Sequence, residues 1–418
     1  MLIVLLLMMV TLSVLTLEQQ NPRGVDGGRL VAQQVSGRLP AKSNVIIVTE
    51  DTPLDRAFSE AAATDLKNSG LNVAAVSNGS PRDARRTIEA VLRDGKKIAA
   101  IVTTADTAAW GVYAAVEQLK GVPVLAPEPY WWPTFARPVN LLQVANQTAV
   151  YAIIAIGMTM VIVTAGIDLS VGSLVALASV VTGLYLDRHG TSAAVLPACL
   201  LGIAVCAAAG VFNGVVITQF GIPPFIATLA MMMMARGLAR SLTDEKTIDE
   251  LPAAFSSISE NTAGIPNPVL LMIVLYIIAH LVMSRTVFGR YVYAVGGNPE
   301  AARLSGVRVK TITLVVYTLC GALAGLGGIV QSAKLGVGDP KLAAMMELDV
   351  IAAVVVGGTS LMGGEGRIFG TLIGAFIIAV MRNGMNLTNV GSPEQSMVLG
   401  AVVLAAVLID TWKRRRSH

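Results

Sequence analysis

From Leu141 onward the chain is apolar almost without break, and short polar interruptions divide it into spans. These lie near residues 148–165, 171–186, 194–217, 225–239 and 268–283, and then near 311–330, 348–361, 368–380 and 397–409. Residues 1–17 are also almost wholly apolar, and about seventeen residues can just cross a bilayer. That segment lacks the positive start and small-residue cleavage site of a signal peptide, so it is expected to remain as a first membrane helix. Together the spans predict about ten crossings. The fold class expected is an α-helical polytopic membrane protein.

Residues 18–133 carry a different pattern. Short apolar runs at 45–48, 71–76, 98–102 and 122–125 read as strands, and 54–68, 81–94 and 107–119 read as the helices between them. Strands alternating with helices at this spacing predict parallel βαβ units, hence a small α/β domain with a doubly wound sheet. Ligands in such sheets bind beyond the carboxyl ends of the strands. Here those ends offer Thr49, Glu50, Asp51, Ser77, Asn78, Thr103, Thr104 and Asp106. Glu50, Asp51 and Asp106 are the candidates for contact with an external ligand or partner, set against the plainer reading that polar residues at strand ends are ordinary loop chemistry. The cluster Tyr130, Trp131, Trp132 fits an interfacial aromatic belt beside a membrane helix.

Composition supports this division. Of 418 residues, 54% are hydrophobic and 14% charged, against roughly 25% charged in soluble domains. Mean hydropathy is +0.66. The net charge of +4 is small and gathered in a few loops, which argues for topology rather than for nucleic acid. Cys199, Cys206 and Cys320 all lie in apolar runs and read as small core residues without a disulfide. The three histidines show no metal-like spacing. No Walker-type phosphate loop or GxSxG elbow occurs, so no catalytic residue, metal or cofactor is expected in the chain itself. The basic run Lys413, Arg414, Arg415, Arg416 places the C-terminus in the cytoplasm by the positive-inside rule. Counting back puts loop 288–310 and the N-terminus inside, and the largely acidic loop 243–260 outside. The domain division that follows is a first helix at 1–17, an extracytoplasmic α/β insert at 18–133, a membrane domain at 134–412 and a basic cytoplasmic tail at 413–418.

Several polar groups interrupt the apolar spans. TAGIDLSVGS, residues 164–173, brings Asp168 and Ser170 into one of them. Ionisable residues at that depth face a bundle interior or a water-filled path. Asp168 is therefore either part of a gate or the cap of the next helix. Asn213 loosens the first half in the same way, and DPKLAAMMELD, residues 339–349, brings Glu347 and Asp349 into the second. Two residues apart on a helix, those carboxylates face different directions and form no catalytic pair. Interruptions in both halves suggest a structural repeat with a path between its copies. Asp168, Ser170, Asn213, Glu347 and Asp349 are the candidates for lining or gating that path.

Loop 288–310, FGRYVYAVGGNPEAARLSGVRVK, spells out a short helix. Asn298 suits the N-cap, Pro299 the first position, Glu300 the positive end of the dipole, and Gly306 a left-handed close. Ala301 and Ala302 between them would let another surface approach. A short capped helix at a membrane surface reads as a docking element.

Four stretches together resemble the membrane permease subunits of bacterial ATP-binding-cassette importers for monosaccharides, of the ribose, xylose and galactose type. They are AIIAIGMTMVIVTAGIDLSVGSLVAL (152–177), FNGVVITQFGIPPFIATLAMMMMARGLA (212–239), GRYVYAVGGNPEAARLSGV (289–307) and ELDVIAAVVVGGTSLMGGEGRIFGTLIGA (347–375). The likeness runs from about Leu141 to the C-terminus. It implies that Gly297, Asn298, Pro299, Glu300, Ala301 and Ala302 form the cytoplasmic coupling helix that sits on the ATPase subunit, which would hold the ATP and Mg. It also implies a homodimer in the inner membrane, and an extracytoplasmic binding protein that delivers the sugar. The insert departs from that family and resembles part of one lobe of a periplasmic sugar-binding protein. Two other classes stay open: an ion-coupled secondary transporter, and a receptor that senses a ligand through the external domain.

Overall fold

The structure is a computed structural model that describes residues 1–417, with side chains over 1–408. The basic run at 413–416, from which the orientation argument starts, lies outside the residues whose side chains are described. The chain divides into two compact units, one made of Met1–Thr16 with Thr134–His418, the other of Leu17–Pro133.

The first helix of the chain, α1, is Leu2–Leu15. The smaller unit then runs β1 (Leu17–Gln20), α2 (Gly24–Ser36), β2 (Asn44–Thr49), α3 (Pro53–Asn68), β3 (Asn72–Asn78), α4 (Pro81–Arg93) and β4 (Ile98–Thr103). It ends with α5 (Ala105–Ala108), α6 (Val112–Ala115), β5 (Val124–Leu125) and β6 (Tyr130–Pro133). Four strands form a parallel sheet in the order β3-β2-β4-β5. Successive side chains of β2 point to opposite faces. Val45 and Ile47 pack with Val35 of α2 and Phe58 of α3, whereas Ile46 and Val48 pack with Ile88 of α4 and Val112 of α6. Burial on both faces explains why the strands read as unbroken apolar runs.

Three features of this unit differ from the sequence reading. The helix expected at 107–119 is broken into α5, α6 and a single 3₁₀ turn at Glu117–Leu119. Thr107 turns back to accept from the Thr104 amide at 3.1 Å, which closes α5 on itself, and Gly111 follows. Helix α2 was not foreseen, because glycine in a helix interior is unfavourable and hides the pattern. Gly27 and Gly28 are needed there, since a Cβ would collide with the Pro22 and Phe58 carbonyls. Tyr130, Trp131 and Trp132 lie in β6, a strand paired antiparallel with β1 where the sequence reading marked no element.

The larger unit continues with α7 (Pro138–Val163), α8 (Val171–His189), α9 (Val195–Phe220), α10 (Pro224–Leu242), α11 (Ala253–Ser256) and the short pair β7 (Asn261–Thr262) and β8 (Ile265–Pro266). After these come α12 (Asn267–Arg285), α13 (Val287–Gly297), α14 (Pro299–Leu304), α15 (Val309–Leu335), α16 (Met346–Val356), α17 (Ile368–Leu387) and α18 (Ser392–Ser417). Among the described residues, seven helices are long and apolar enough to cross a membrane: α7, α8, α9 with the turn before it, α10, α12, α15 and α17. The chain is thus a mostly helical polytopic membrane protein. Of the other spans expected, α1 and the apolar part of α18 are shorter. The one near 348–361 is an 11-residue helix, about 16 Å long against a hydrocarbon core of about 30 Å. It stops because Gly357 and Gly358 follow, the latter at φ 91°.

Helix α7 is central: 83% of its apolar window is buried, against 22% for α9 and 28% for α10. Helices α9 and α15 approach closely through glycine, as membrane helices do where packing replaces the hydrophobic effect. A Cβ on Gly210 would collide with the Tyr317 carbonyl, and one on Gly321 with the Cys206 carbonyl. Cys199, Cys206 and Cys320 are free thiols within this packing.

This contact yields a stability prediction. Gly210→Val should lower the unfolding midpoint of the purified protein by the equivalent of about 1–3 kcal/mol, the usual penalty of overpacking. Gly237→Val, where a Cβ meets nothing within 4 Å, should leave it unchanged. Equal midpoints for the two variants would show that the α9–α15 contact is not close-packed.

Candidate functional site

The capped helix in loop 288–310 is α14. The Asn298 Oδ1 accepts from the Ala301 amide at 3.0 Å, and Pro299 occupies the first turn. Gly306 stands at φ 85°, with the Val307 amide donating back to the Ala302 carbonyl at 3.0 Å, a left-handed close. Ala302 is buried beneath the helix, while Gly297, Asn298, Pro299, Glu300 and Ala301 are exposed. Glu300 pairs along the surface with Arg303 at 2.9 Å. Leu304 is 81% exposed, the apolar tip of an otherwise polar face.

Helix α13 carries α14 and ends on Gly296 and Gly297. Gly296 is seated so closely against the last turn of α7 that a Cβ would overlap the Val163 carbonyl and the Gly364 amide. That amide donates to the Val163 carbonyl at 2.9 Å, and the Tyr293 hydroxyl donates to the Gly366 carbonyl at 2.8 Å. Gly363 and Gly364, at φ 85° and 75°, let the loop after α16 fold into this seat. Gly363 also lies against Ala165, the left-handed residue of the turn that breaks the chain between α7 and α8. The surface helix, the end of α7, that turn and the loop after α16 therefore meet at one backbone joint.

The turn holds Asp168 and Ser170, both fully buried. Asp168 Oδ1 accepts from the Ser170 amide at 2.9 Å and from its hydroxyl at 2.6 Å. Asn213 of α9, also fully buried, donates from Nδ2 to Ser170 Oγ at 3.2 Å. These three candidates form one cluster. Asp168 Oδ2, Asn213 Oδ1 and the nearby Tyr317 hydroxyl have no hydrogen-bond partner among the described residues. Tyr317 lies over Gly166, where a Cβ would strike its hydroxyl.

Glu347 and Asp349 point apart, as their spacing requires. Glu347 reaches across to Gly172 in the first turn of α8. Asp349 accepts from Arg382 Nη2 of α17 at 2.5 Å. Its side chain is 8% exposed and that of Arg382 39%. Asp168 and Glu347 thus sit at the same end of α8, and Asp349 belongs to a separate contact between α16 and α17.

In the smaller unit the strand-end acids are engaged locally. Asp51 pairs with Arg56 at 2.7 Å, and Asp106 with Arg23 at 2.8 Å. The hydrogen bond from Arg56 holds the Asp51 carboxyl below the usual carboxylate range. Glu50 is exposed beside them. Among the described residues, no group of three or more His, Cys, Asp or Glu side chains could hold a metal ion.

Sequence reasoning missed Arg236, Gly296, Tyr317 and Arg382, and took Gly172 only as part of the interruption at 164–173. Arg236 carried a readable signal, since it is an ionisable residue inside the apolar span 225–239, whereas Arg382 falls just beyond the span 368–380 and joins its helix only in the structure. The glycines did not, because their neighbours are distant in sequence.

A family model described as branched-chain amino acid transport system / permease component matches residues 140–408. The chain is similar to the ribose import permease protein of Escherichia coli (strain K12), 42% identical over 293 residues, 68% of this chain and 88% of the relative. The D-allose transport system permease protein of the same strain is 36% identical over 272 residues, 65% of this chain and 83% of the relative. Its xylose transport system permease protein is 33% identical over 342 residues, 66% of this chain and 86% of the relative. No solved structure matches the chain.

The Asp349–Arg382 pair gives a direct test of what holds α16 to α17. Arg382→Met strands a buried carboxylate and should cost about 2 kcal/mol in an unfolding titration, part of the Arg382 head being solvated. The double variant Asp349→Asn, Arg382→Met should recover most of that loss. A double variant as unstable as the single one would mean that the pair is not what joins these helices.

Proposed function

The chain belongs to the branched-chain amino acid transport system / permease component family, and we propose that it is the permease subunit of an ATP-binding-cassette importer for a monosaccharide of the ribose, allose or xylose kind. On this reading an extracytoplasmic binding protein delivers the sugar, a partner ATPase holds ATP and Mg, and two copies of the permease assemble in the inner membrane. The permease itself carries no covalent chemistry.

The observation that carries the reading is α14 and its seat. Gly297, Asn298, Pro299, Glu300, Ala301 and Ala302 form the ATPase contact, with Leu304 adding an exposed apolar tip. Caps at both ends keep so short a helix formed before it docks, which lowers the ordering cost of binding. The glycine joint supplies the transmission: a push on α14 reaches α13, and α13 bears on the end of α7 and on the turn that carries Asp168. Asp168, Ser170, Asn213 and Glu347 then line or gate the path, and Asp349 with Arg382 fixes α16 beside it.

The topology that fits has the joint at the cytoplasmic end. Helices α1 and α18 and the broken passage through 336–356 join the seven long spans to make ten crossings, with both termini inside and residues 18–133 outside. The smaller unit then faces the binding protein or ligand, with Glu50, Asp51 and Asp106 at its strand ends.

Charge reversal on α14 tests the reading. In a reconstituted importer, Glu300→Lys should cut uptake and ATPase co-purification at least about tenfold, as expected where a charge meets a complementary surface, while permease content in the membrane stays unchanged. Normal uptake by that variant would refute the docking role.

A further inference from the structure

Helix α10 carries Arg236 in the body of an apolar span, and its guanidinium is spent on backbone. Nη1 donates to the Leu342 carbonyl at 2.6 Å and to the Pro340 carbonyl at 3.4 Å, and Nη2 donates to the Ala343 carbonyl at 3.4 Å. These carbonyls belong to the irregular segment before α16, in which Ala343 and Met345 are left-handed without being glycine. Such backbone persists only where its surroundings over-determine it, and strained positions gather at functional sites. Arg236 supplies that constraint here.

The same segment meets the first turn of α8 at Gly172. A Cβ there would collide with both the Glu347 carboxylate and the Ala343 carbonyl. Glu347 is 7% exposed, and its Oε2 has no hydrogen-bond partner among the described residues. Around one seam, then, stand a buried carboxylate oxygen without a donor, a row of loop carbonyls, a guanidinium and a helix start whose first amides lack intrahelical acceptors. Arg236 and Glu347 share the Ala343 carbonyl as a neighbour, the first donating to it and the second meeting it over Gly172.

We propose that this seam, between the start of α8, Arg236 of α10 and the segment leading into α16, is the constriction through which the sugar passes, and that Arg236 and Glu347 hydrogen-bond its hydroxyl groups on the way. The inference rests on the importer reading above. A sugar hydroxyl both donates and accepts, so a neutral polyol is the ligand class that a mixed wall of carboxylate, carbonyls and guanidinium can serve. A charged solute would leave one of the two side chains unpaired. Parting the seam exposes Glu347 Oε2 to whatever donor enters, and closing it returns the carboxylate to Gly172. No side chain larger than glycine at 172 permits that closure. The position also explains why an arginine is kept in an apolar helix, where it is otherwise expensive.

The experiment is paired measurement of ribose uptake and ATP hydrolysis in proteoliposomes holding the whole importer, with the loaded binding protein inside the assay. Glu347→Gln and Arg236→Lys keep volume, and Arg236→Lys keeps charge but loses the guanidinium fork. Ribose moved per ATP hydrolysed should fall about tenfold in each, the scale of one lost hydrogen bond to a charged group, while stimulation of hydrolysis by the binding protein is retained. Glu347→Asp should recover part of the ratio. A merely structural role would lower uptake and hydrolysis together and leave their ratio at the wild-type value, and that result overturns the constriction. If the wild-type importer shows no stimulated hydrolysis with ribose, allose or xylose, the importer reading falls instead, so the two failures are distinguishable.

Discussion

Close backbone approach at Gly296 is the constraint from which the larger unit is organised. Bringing the end of α13 onto the Val163 carbonyl leaves no room for a side chain, and the loop after α16 must fold through two left-handed glycines to complete the seat. Packed groups at this density do not deform continuously; they shift as a piece or not at all. A surface helix rigidly joined to such a seat can pass displacement inward, whereas one on a flexible loop would dissipate it. That is why α14, only six residues long, can bear on a buried turn.

The polar groups inside the bundle follow a consistent economy. Asp168 is held by its own turn through Ser170, Asp349 by Arg382, and the strained segment before α16 by Arg236. Four unpaired atoms stand near the start of α8, Asp168 Oδ2, Asn213 Oδ1 and the Tyr317 hydroxyl in one cluster and Glu347 Oε2 at Gly172, while Asn146 Oδ1 of α7 and Thr359 Oγ1 after α16 lie apart from them. Unpaired polar atoms in a water-excluding interior are costly, and the four grouped near the start of α8 mark where the interior has most to gain from hydration. The glycine-packed α9–α15 pair lies beside this region as a rigid wall.

How much of this was legible depended on how local each signal is. The caps of α14 are written in consecutive residues, so the helix was readable to the residue. The apolar runs of β2 and its neighbours were equally plain because both sheet faces are buried. Helix α2 was hidden by glycines that only its packing against α3 explains. Helix α16 is shorter than its apolar run because Gly357 and Gly358 end it and the loop beyond turns back to the joint. Arg236 was visible as an odd residue, yet its partners lie more than 100 positions away. No spacing rule predicts a hydrogen bond of that kind, and the same holds for the fit of Gly296 against Val163.

The central claim is that the joint transmits motion from the proposed docking helix to the buried turn. The most direct measurement is ribose uptake alongside ATPase association for Gly296→Ala in the reconstituted importer, with Gly237→Ala, on α10 where a Cβ meets nothing within 4 Å, as its control. Gly296→Ala should still retain the ATPase subunit but lose uptake, and Gly237→Ala should keep both. Wild-type uptake by Gly296→Ala would contradict it.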